Sequence, residues 1–414
     1  MNAITRALAS LALVAPVVSA QSIHTVDALG GGDFLDVQLA VDAAIDGDVV
    51  LVKAGTYPGF IIDDKSLVIA AEAGALVTIN QNVAIGNIAA GDEVVLQGLT
   101  LIPTQPPLVF SALSLTDCAG HVLLQELTAE LPGSAIALFG VLYARDCASV
   151  AVVNSTVDSR NSVPIQFSGA IVGENSNFYF HGVTSLGSNG TDGTVMSITG
   201  GSGGSGLELR GGSALVVDGE FRGGAGGDGN TFGNPGNGGQ GGHAIQLLAA
   251  MAGDPSLVVY DSELAPGLGG TGLAPAVDGL PGKQVEIVAG TLTEPAAFAR
   301  TFSAAPVVRD GEMTSIVFNG QPFDLTWHII GFDTNPTTVY LPDFLGAFHP
   351  GGAPTFFQYR GLLNGNGKKT FNFTLIPTGL DYVPVYEQAL MYNATEGFVA
   401  SNPVFVAFFG SQVP

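Results

Sequence analysis

The sequence predicts an all-β protein in which a solenoid of parallel strands is followed by a β-sandwich. Three observations carry this. Short segments of alternating apolar and variable residues recur at a near-constant spacing, and almost no helical periodicity lies between them. From about Thr301 the spacing gives way to longer alternating runs separated by Pro, Gly and Asn turns.

Residues 1–20 come first. They hold one cation, Arg6, an apolar run from Leu8 to Val18, and Val18-Ser19-Ala20 ahead of Gln21. That is the layout of a cleavable secretory signal, so export is expected, to the periplasm, the cell surface or the medium. No cysteine follows the run to take a lipid anchor, and no later apolar stretch reaches the roughly 20 residues of a membrane span.

The stretch GDFLDVQLAVDAAIDGDVVLVKAGTY, residues 32 to 57, reads as a short amphipathic helix running through Gly47-Asp48 into an alternating strand. It resembles the opening of pectin-lyase-like and copper-processing periplasmic β-helix chains, in which a short helix caps the open end of the first coil. The resemblance implies a right-handed parallel β-helix and no particular chemistry. Asp42, Asp46 and Asp48 are read as solvated carboxylates of the cap and the turn after it.

Six segments share one pattern: VVLQGLTL (94–101), VLLQELTA (122–129), VAVVNSTV (150–157), NFYFHGVT (177–184), ALVVDGEF (214–221) and SLVVYDSEL (256–264). The first four recur about 27 to 29 residues apart, and a second strand, such as LSLTDCAG or LYARDCAS, precedes several of them. A β-propeller blade needs about 40 to 45 residues, so the shorter period favours a β-helix over residues 22–290. Val95, Leu124, Val153 and Phe180 are expected to point inward, one above another.

Three Gly-rich insertions, 186–206, 222–242 and 266–282, leave after the same strand of the repeat. Their composition reads as flexible linker, while their shared position makes one flank a loop-bearing face. Residues 300–414 form the expected β-sandwich. Its closing phrase, GFVASNP and a final apolar strand, resembles small C-terminal all-β modules of exported planctomycete proteins, a likeness that implies no activity.

Charge excludes one class of partner. With 13 Lys and Arg against 36 Asp and Glu, a net charge of −23, the chain lacks the clustered cations that nucleic acid requires. A polysaccharide or another cell-envelope component remains the expected partner, of a monomer.

Few residues name a chemistry. Polygalacturonase-like enzymes carry a Gly-His-Gly and an Arg-x-Lys, where this chain has Gly242-His243-Ala244 and no Arg-x-Lys. The Arg-x-Pro of pectate-lyase-like enzymes is absent, and the Asp-Pro-His of alginate epimerases meets Asp254-Pro255-Ser256. A loose polar set remains on the middle coils: Asp158, Arg160, Glu220 and Arg222, with His181 nearby. These residues supply a base and a carboxylate for a polysaccharide lyase or hydrolase, or else a solvated ion-pair ladder. The non-catalytic reading is the one adopted.

Cys118 and Cys147 occupy equivalent repeat positions, in Asp-Cys-Ala both times. Neighbouring strands lie about 4.8 Å apart, within disulfide range, although in-register side chains point the same way. A disulfide and a buried reduced pair both stay open. Gly223-Gly224-Ala225-Gly226-Gly227-Asp228 matches half of a calcium-binding β-roll repeat, which makes Asp228 a calcium candidate; a flexible glycine loop is the competing reading, and no cofactor is otherwise expected. The six histidines, 24, 121, 181, 243, 328 and 349, show no close pairing, which argues against zinc.

Overall fold

The computed structural model describes residues 21–104, 108–109, 111–133, 136–137, 139–164, 169–194, 197–230, 235–273, 275–339, 344–351, 355–374 and 381–410. The expected leader, residues 1–20, lies outside the described residues.

The repeating segments stack as a parallel β-helix in which three strands recur from coil to coil, joined in the middle coils by a short fourth, Leu108–Val109, Ile136–Ala137 and Val163–Pro164. In one coil Leu113–Thr116 turns into His121–Gln125 and then into Thr128–Glu130. Each strand pairs in parallel with its equivalent one coil on, Leu113 with Leu142, Val122 with Val150 and Thr128 with Thr156. The third strand continues the apolar pattern of the second in sequence, because the corner between them takes only one or two residues.

Both corners are built by left-handed residues at fixed register. The first corner is Asp64, Asn87, Asp117, Asp146, Asn175 and Gly211, with φ from 49° to 71°. The second is Gly98, Glu126, Asn154, Gly182, Asp218 and Asp261, with φ from 47° to 70°. Asn and Asp enter this region more readily than other side chains because their short polar groups bond locally. Here they also bond along the stack, Asn175 Nδ2 donating to Asp146 Oδ1 at 3.2 Å.

The helix Val37–Ala43 caps the first coil as expected, with Asp36 accepting from the Gln38 amide and Val37, Ala40 and Val41 buried. Lys65 closes its far end, donating to the carbonyls of Val41, Asp42 and Ala44. Asp48 departs from expectation. It is buried and accepts from the Ser22 and Ile45 amides and from His24 Nε2, so it ties the first strand to the cap rather than facing water.

The interior is a column of like above like. Leu96, Leu124, Val152 and Phe180 are in register and belong to the central core, with Phe178 and Phe180 stacked at 5.0 Å. Leu124 and Phe180 therefore point inward as expected. Val95 and Val153 do not: they lie on the outer face of the same sheet, one register step away. They are nonetheless buried, because the second sheet is covered on both sides.

The cover is the C-terminal sandwich. A sheet of Thr301–Ser303, Met313–Asn319 and Lys368–Thr374 faces a second one that includes Leu325–Gly331, Phe356–Leu362, Tyr382–Asn393 and Gly397–Phe409. Val95, Leu123, Ala151, Tyr179 and Leu215 pack with Tyr386, Phe405, Ala407 and Phe409 of the sandwich in one apolar cluster. Polar contacts set the register of this seam. Gln125 both donates to the Phe405 carbonyl and accepts from its amide, at 3.2 and 2.8 Å, and Gln97 donates to the same carbonyl at 3.1 Å. His181 Nε2 donates to the Arg300 carbonyl, and the Arg300 guanidinium is itself fully buried between Asp324 and Glu396.

Three histidines lie in the seam. His121 and His349 have ring centroids 5.6 Å apart, and the Tyr179 ring stands 4.7 Å from His349. Sequence spacing hid this pairing. Burial lowers the pKa of His121 and of His181 to about 4, and burial together with these two neighbours drives His349 well below its usual value. Between pH ~6.5 and ~4 the unfolded chain binds protons that the folded seam refuses, so stability falls as pH drops through that window. Chemical denaturation at pH 7.5 and pH 5 is expected to show a loss of about 2 kcal/mol for each of His121 and His181, since roughly 1.5 pH units of the shift lie above pH 5 and each unit is worth about 1.4 kcal/mol. In His181→Asn the pH dependence is expected to shrink by one proton; an unchanged slope would remove the seam as its source.

Candidate functional site

The third strands of the coils carry the flank on which the candidate residues lie. Asp158 pairs with Leu186 and Leu186 with Arg222, while Thr184 pairs with Glu220 and Glu220 with Glu263. The expected shared flank is therefore real for Asp158, Glu220 and Arg222, with Arg160 two residues beyond Asp158. His181 is not part of it, being buried in the seam.

On that flank the charges neutralise one another. Arg160 holds Asp158 through Nε and Nη2, the latter at 2.7 Å. Arg222 pairs with Glu220 and reaches Glu263 one coil on at 2.8 Å. Hydrogen bonding to Asp158 raises the Arg160 pKa, and Glu130 and Glu220 add to the effect. All members of this set but Asp158 are substantially exposed, and each carboxylate already faces a guanidinium. The arrangement is an ion-pair ladder.

The Gly-rich insertions are not flexible linkers. Each is a pair of extended legs, 187–193 with 200–206, 223–229 with 236–242, and 267–272 with 277–282, and the legs bond to one another every third residue. Gly187, Gly190 and Gly193 donate to the carbonyls of Arg222, Ala225 and Asp228, and Gly223, Gly226 and Gly229 donate to Ala265, Leu268 and Thr271. The second glycine of each triplet turns the other way: Gly224 and Gly227 donate to Gly204 and Gly201 of the return leg. A three-residue repeat whose bonds all run between chains is the geometry of packed polyproline-II-type helices.

Glycine is required because the legs touch through their backbones. A Cβ on Gly239 would fall 1.9 Å from the Gly201 carbonyl oxygen, and one on Gly267 would fall 1.8 Å from that of Gly224. The third residue of the triplet points outward, and in several triplets its side chain caps the amide of the equivalent residue in the next leg. Asn189 accepts from the Ala225 amide, Asp192 from Asp228, Asp228 from Thr271, and Asn237 from Val277.

This accounts for Asp228. Its Oδ1 accepts from both the amide and the hydroxyl of Thr271, at 2.7 Å each, which lowers its pKa. Among the described residues no group of three or more His, Cys, Asp or Glu that could hold a metal ion comes together. Asp228 is a rung of the bundle.

Cys118 and Cys147 stand as two buried free thiols, the arrangement of the reduced pair. They follow the first corner in successive coils, in the inward ladder that Ile88 begins, and both belong to the core. The two Sγ atoms donate in parallel to carbonyls two residues back, Thr116 and Arg145, at 3.5 and 3.3 Å. Equivalent side chains on parallel strands run alongside one another instead of converging, which a bridge requires. Hydrogen bonding to Cys118, and then burial, raise the Cys147 pKa, so it is no nucleophile.

Sequence reasoning missed Arg300, Asp324, Gln97, Gln125 and the buried histidines. Gln97, Gln125 and the histidines lie on strands with ordinary alternation, while Arg300 and Asp324 directly precede strands, and the signal that these positions are buried resides in the elements packed against them.

Comparison with known proteins adds no name. No family model matches the chain, and no curated protein matches it. Among solved structures, the superoxide reductase (neelaredoxin) of Ignicoccus hospitalis aligns with 27% of this chain and 80% of its own, at 12% identity and a TM-score of 0.17, too distant to bear on fold or function.

Two outcomes are expected here. Gly239→Ala should cost about 2 kcal/mol or more by overpacking and speed amide exchange in 187–206 and 223–242, whereas Ala225→Ser at an outward position should stay within about 0.5 kcal/mol; equal effects would contradict the packing. Alkylation of the native protein should leave both thiols unmodified, and alkylation in denaturant without reductant should add two adducts. Protein that takes none in denaturant would carry the bridge after all.

Proposed function

We propose that this chain is an exported, non-catalytic β-helix protein, a cell-surface or extracellular structural and carbohydrate-interaction scaffold. The observation that carries the reading is the pairing of the candidate catalytic side chains. Asp158, Arg160, Glu220 and Arg222 are all committed to ion pairs on an open flank. A lyase base needs a free proton-accepting group beside a groove, and each carboxylate of this set is instead held by an arginine.

The same flank is suited to presentation. The ion-pair ladder continues into the glycine bundle, whose outward positions display Asn189, Asp192, Ala225, Asp228 and Asn237 at fixed spacing. Rigid scaffolds place binding groups on such projecting segments. Export rests on the layout of residues 1–20 and on the likeness of residues 32 to 57 and of GFVASNP to segments of exported proteins. Among the described residues no helix is long and apolar enough to cross a membrane.

The test is a panel of uronic-acid, sulfated and neutral polysaccharides, assayed for unsaturated or reducing ends and, separately, for binding. No product release is expected, with any binding mapped by exchange protection to 187–206, 223–242 and 267–282. Asp158→Ala, Arg160→Ala and Arg222→Ala should change stability by no more than about 0.5 kcal/mol. Steady product release abolished by Arg160→Ala or Arg222→Ala would establish the lyase or hydrolase instead.

A further inference from the structure

The sandwich holds a cavity of about 500 Å³ that the reading above does not use. Ile330, Phe332, Phe373, Val385 and Phe408 form apolar walls. At one end stand His328, Arg360 and Glu387, charged or titratable groups in a place where packing alone would favour hydrocarbon.

Their hydrogen bonding is incomplete. Arg360 Nη2 lies 2.9 Å from His328 Nδ1, and since a guanidinium only donates, Nδ1 is the acceptor and the neutral ring carries its proton on Nε2. That Nε2 faces Glu387 Oε2 across 3.5 Å, too far for a good hydrogen bond. His328 Nε2, Glu387 Oε2 and Arg360 Nε are all buried without a partner. His328 and Glu387 are 2% and 4% exposed, so bulk water does not complete them. The Phe371 ring, 5.0 Å from the Arg360 guanidinium, steadies the group.

A donor, an acceptor and a second donor around one end of an apolar chamber define a head group. An anion would meet Glu387, and a cation would meet Arg360. An uncharged group that accepts from both His328 Nε2 and Arg360 Nε and donates to Glu387 Oε2 satisfies all three, and the oxygen of a hydroxyl or a primary amide can accept twice while the same group donates. The volume falls in the range of small-molecule pockets, roughly 300 to 1,000 Å³. We propose that this cavity binds a small uncharged amphiphile, with an aromatic or branched hydrocarbon body among the phenylalanines and a hydroxyl or amide head between His328, Arg360 and Glu387. The site is separate from the solenoid flank, so it stands or falls independently of the scaffold reading.

The experiment is calorimetric titration of the full chain at neutral pH with 2-naphthol and, in parallel, 2-naphthoate. Saturable one-to-one binding of 2-naphthol is expected, with 2-naphthoate weaker by about tenfold or more. Glu387→Gln should narrow that gap by weakening the naphthol and strengthening the naphthoate, and Val385→Trp should fill the chamber and abolish binding. Hydrogen exchange of the unmodified protein with saturating 2-naphthol supplies a readout that needs no variant, with protection expected in 325–331, 368–374 and 382–393. The proposal is overturned by absence of saturable naphthol binding, by equal affinity for naphthoate, by a folded Val385→Trp that binds like wild type, or by protection outside those strands.

Discussion

Every residue of this solenoid stands about 4.8 Å from its equivalent in the next coil, and the rest of the structure answers to that distance. Side chains that recur in register must tolerate their own kind as nearest neighbours. Apolar residues do, which gives the inner column of Leu96, Leu124, Val152 and Phe180. Asn above Asp does at a corner, where the Asn175 amide donates to the Asp146 carboxylate of the coil before. Like charges in register need a cation between them, and Arg222 bridges Glu220 and Glu263 on the exposed flank. The insertions inherit the same spacing at their roots, and backbones brought that close have room for hydrogen atoms and little else.

The architecture was legible because stacking prints a period on the sequence. The cap helix, the alternating strands and the change of pattern near Thr301 are local signals that the structure bears out. What was not legible depends on which outer surfaces are covered. Val95 and Leu96 are equally apolar, and nothing local says that Leu96 faces the solenoid core while Val95 faces the sandwich. A strand buried on both faces loses the alternation that would fix its register. Gln97, Gln125 and His181 were invisible for the same reason: a polar residue on an outer face reads as solvated until its partner strand, some 300 residues away in the case of Gln97 and Phe405, is placed against it.

The candidate site was half legible. Repeat register correctly brought Asp158, Glu220 and Arg222 to one flank, since a β-helix converts sequence period into spatial alignment. It could not show that Arg160 folds back on Asp158 or that Glu263 reaches Arg222, because side-chain pairing is settled by rotamers and not by register. The cysteines mark the same limit in another form: equal register put them side by side, and equal orientation kept them apart. The glycine triplets carried a signal that composition obscured. Gly-Gly-x in steps of three differs from a linker of equal glycine content by its phase, and the outward Asn and Asp keep that phase.

The bundle also restricts how this chain can change. Each leg has three kinds of position, one amide for the neighbouring coil, one for the returning leg and one side chain for the surface, so removing a single residue rotates every later position by a third of a turn and brings side chains into the backbone contacts. Loop length is quantised. A leg can be extended or shortened only by whole triplets, and a change in one insertion leaves its neighbours' amides without carbonyls unless they change with it. Three segments separated in sequence by whole coils are thereby bound to vary as one, a covariation enforced by hydrogen-bond phase and not by any shared ligand.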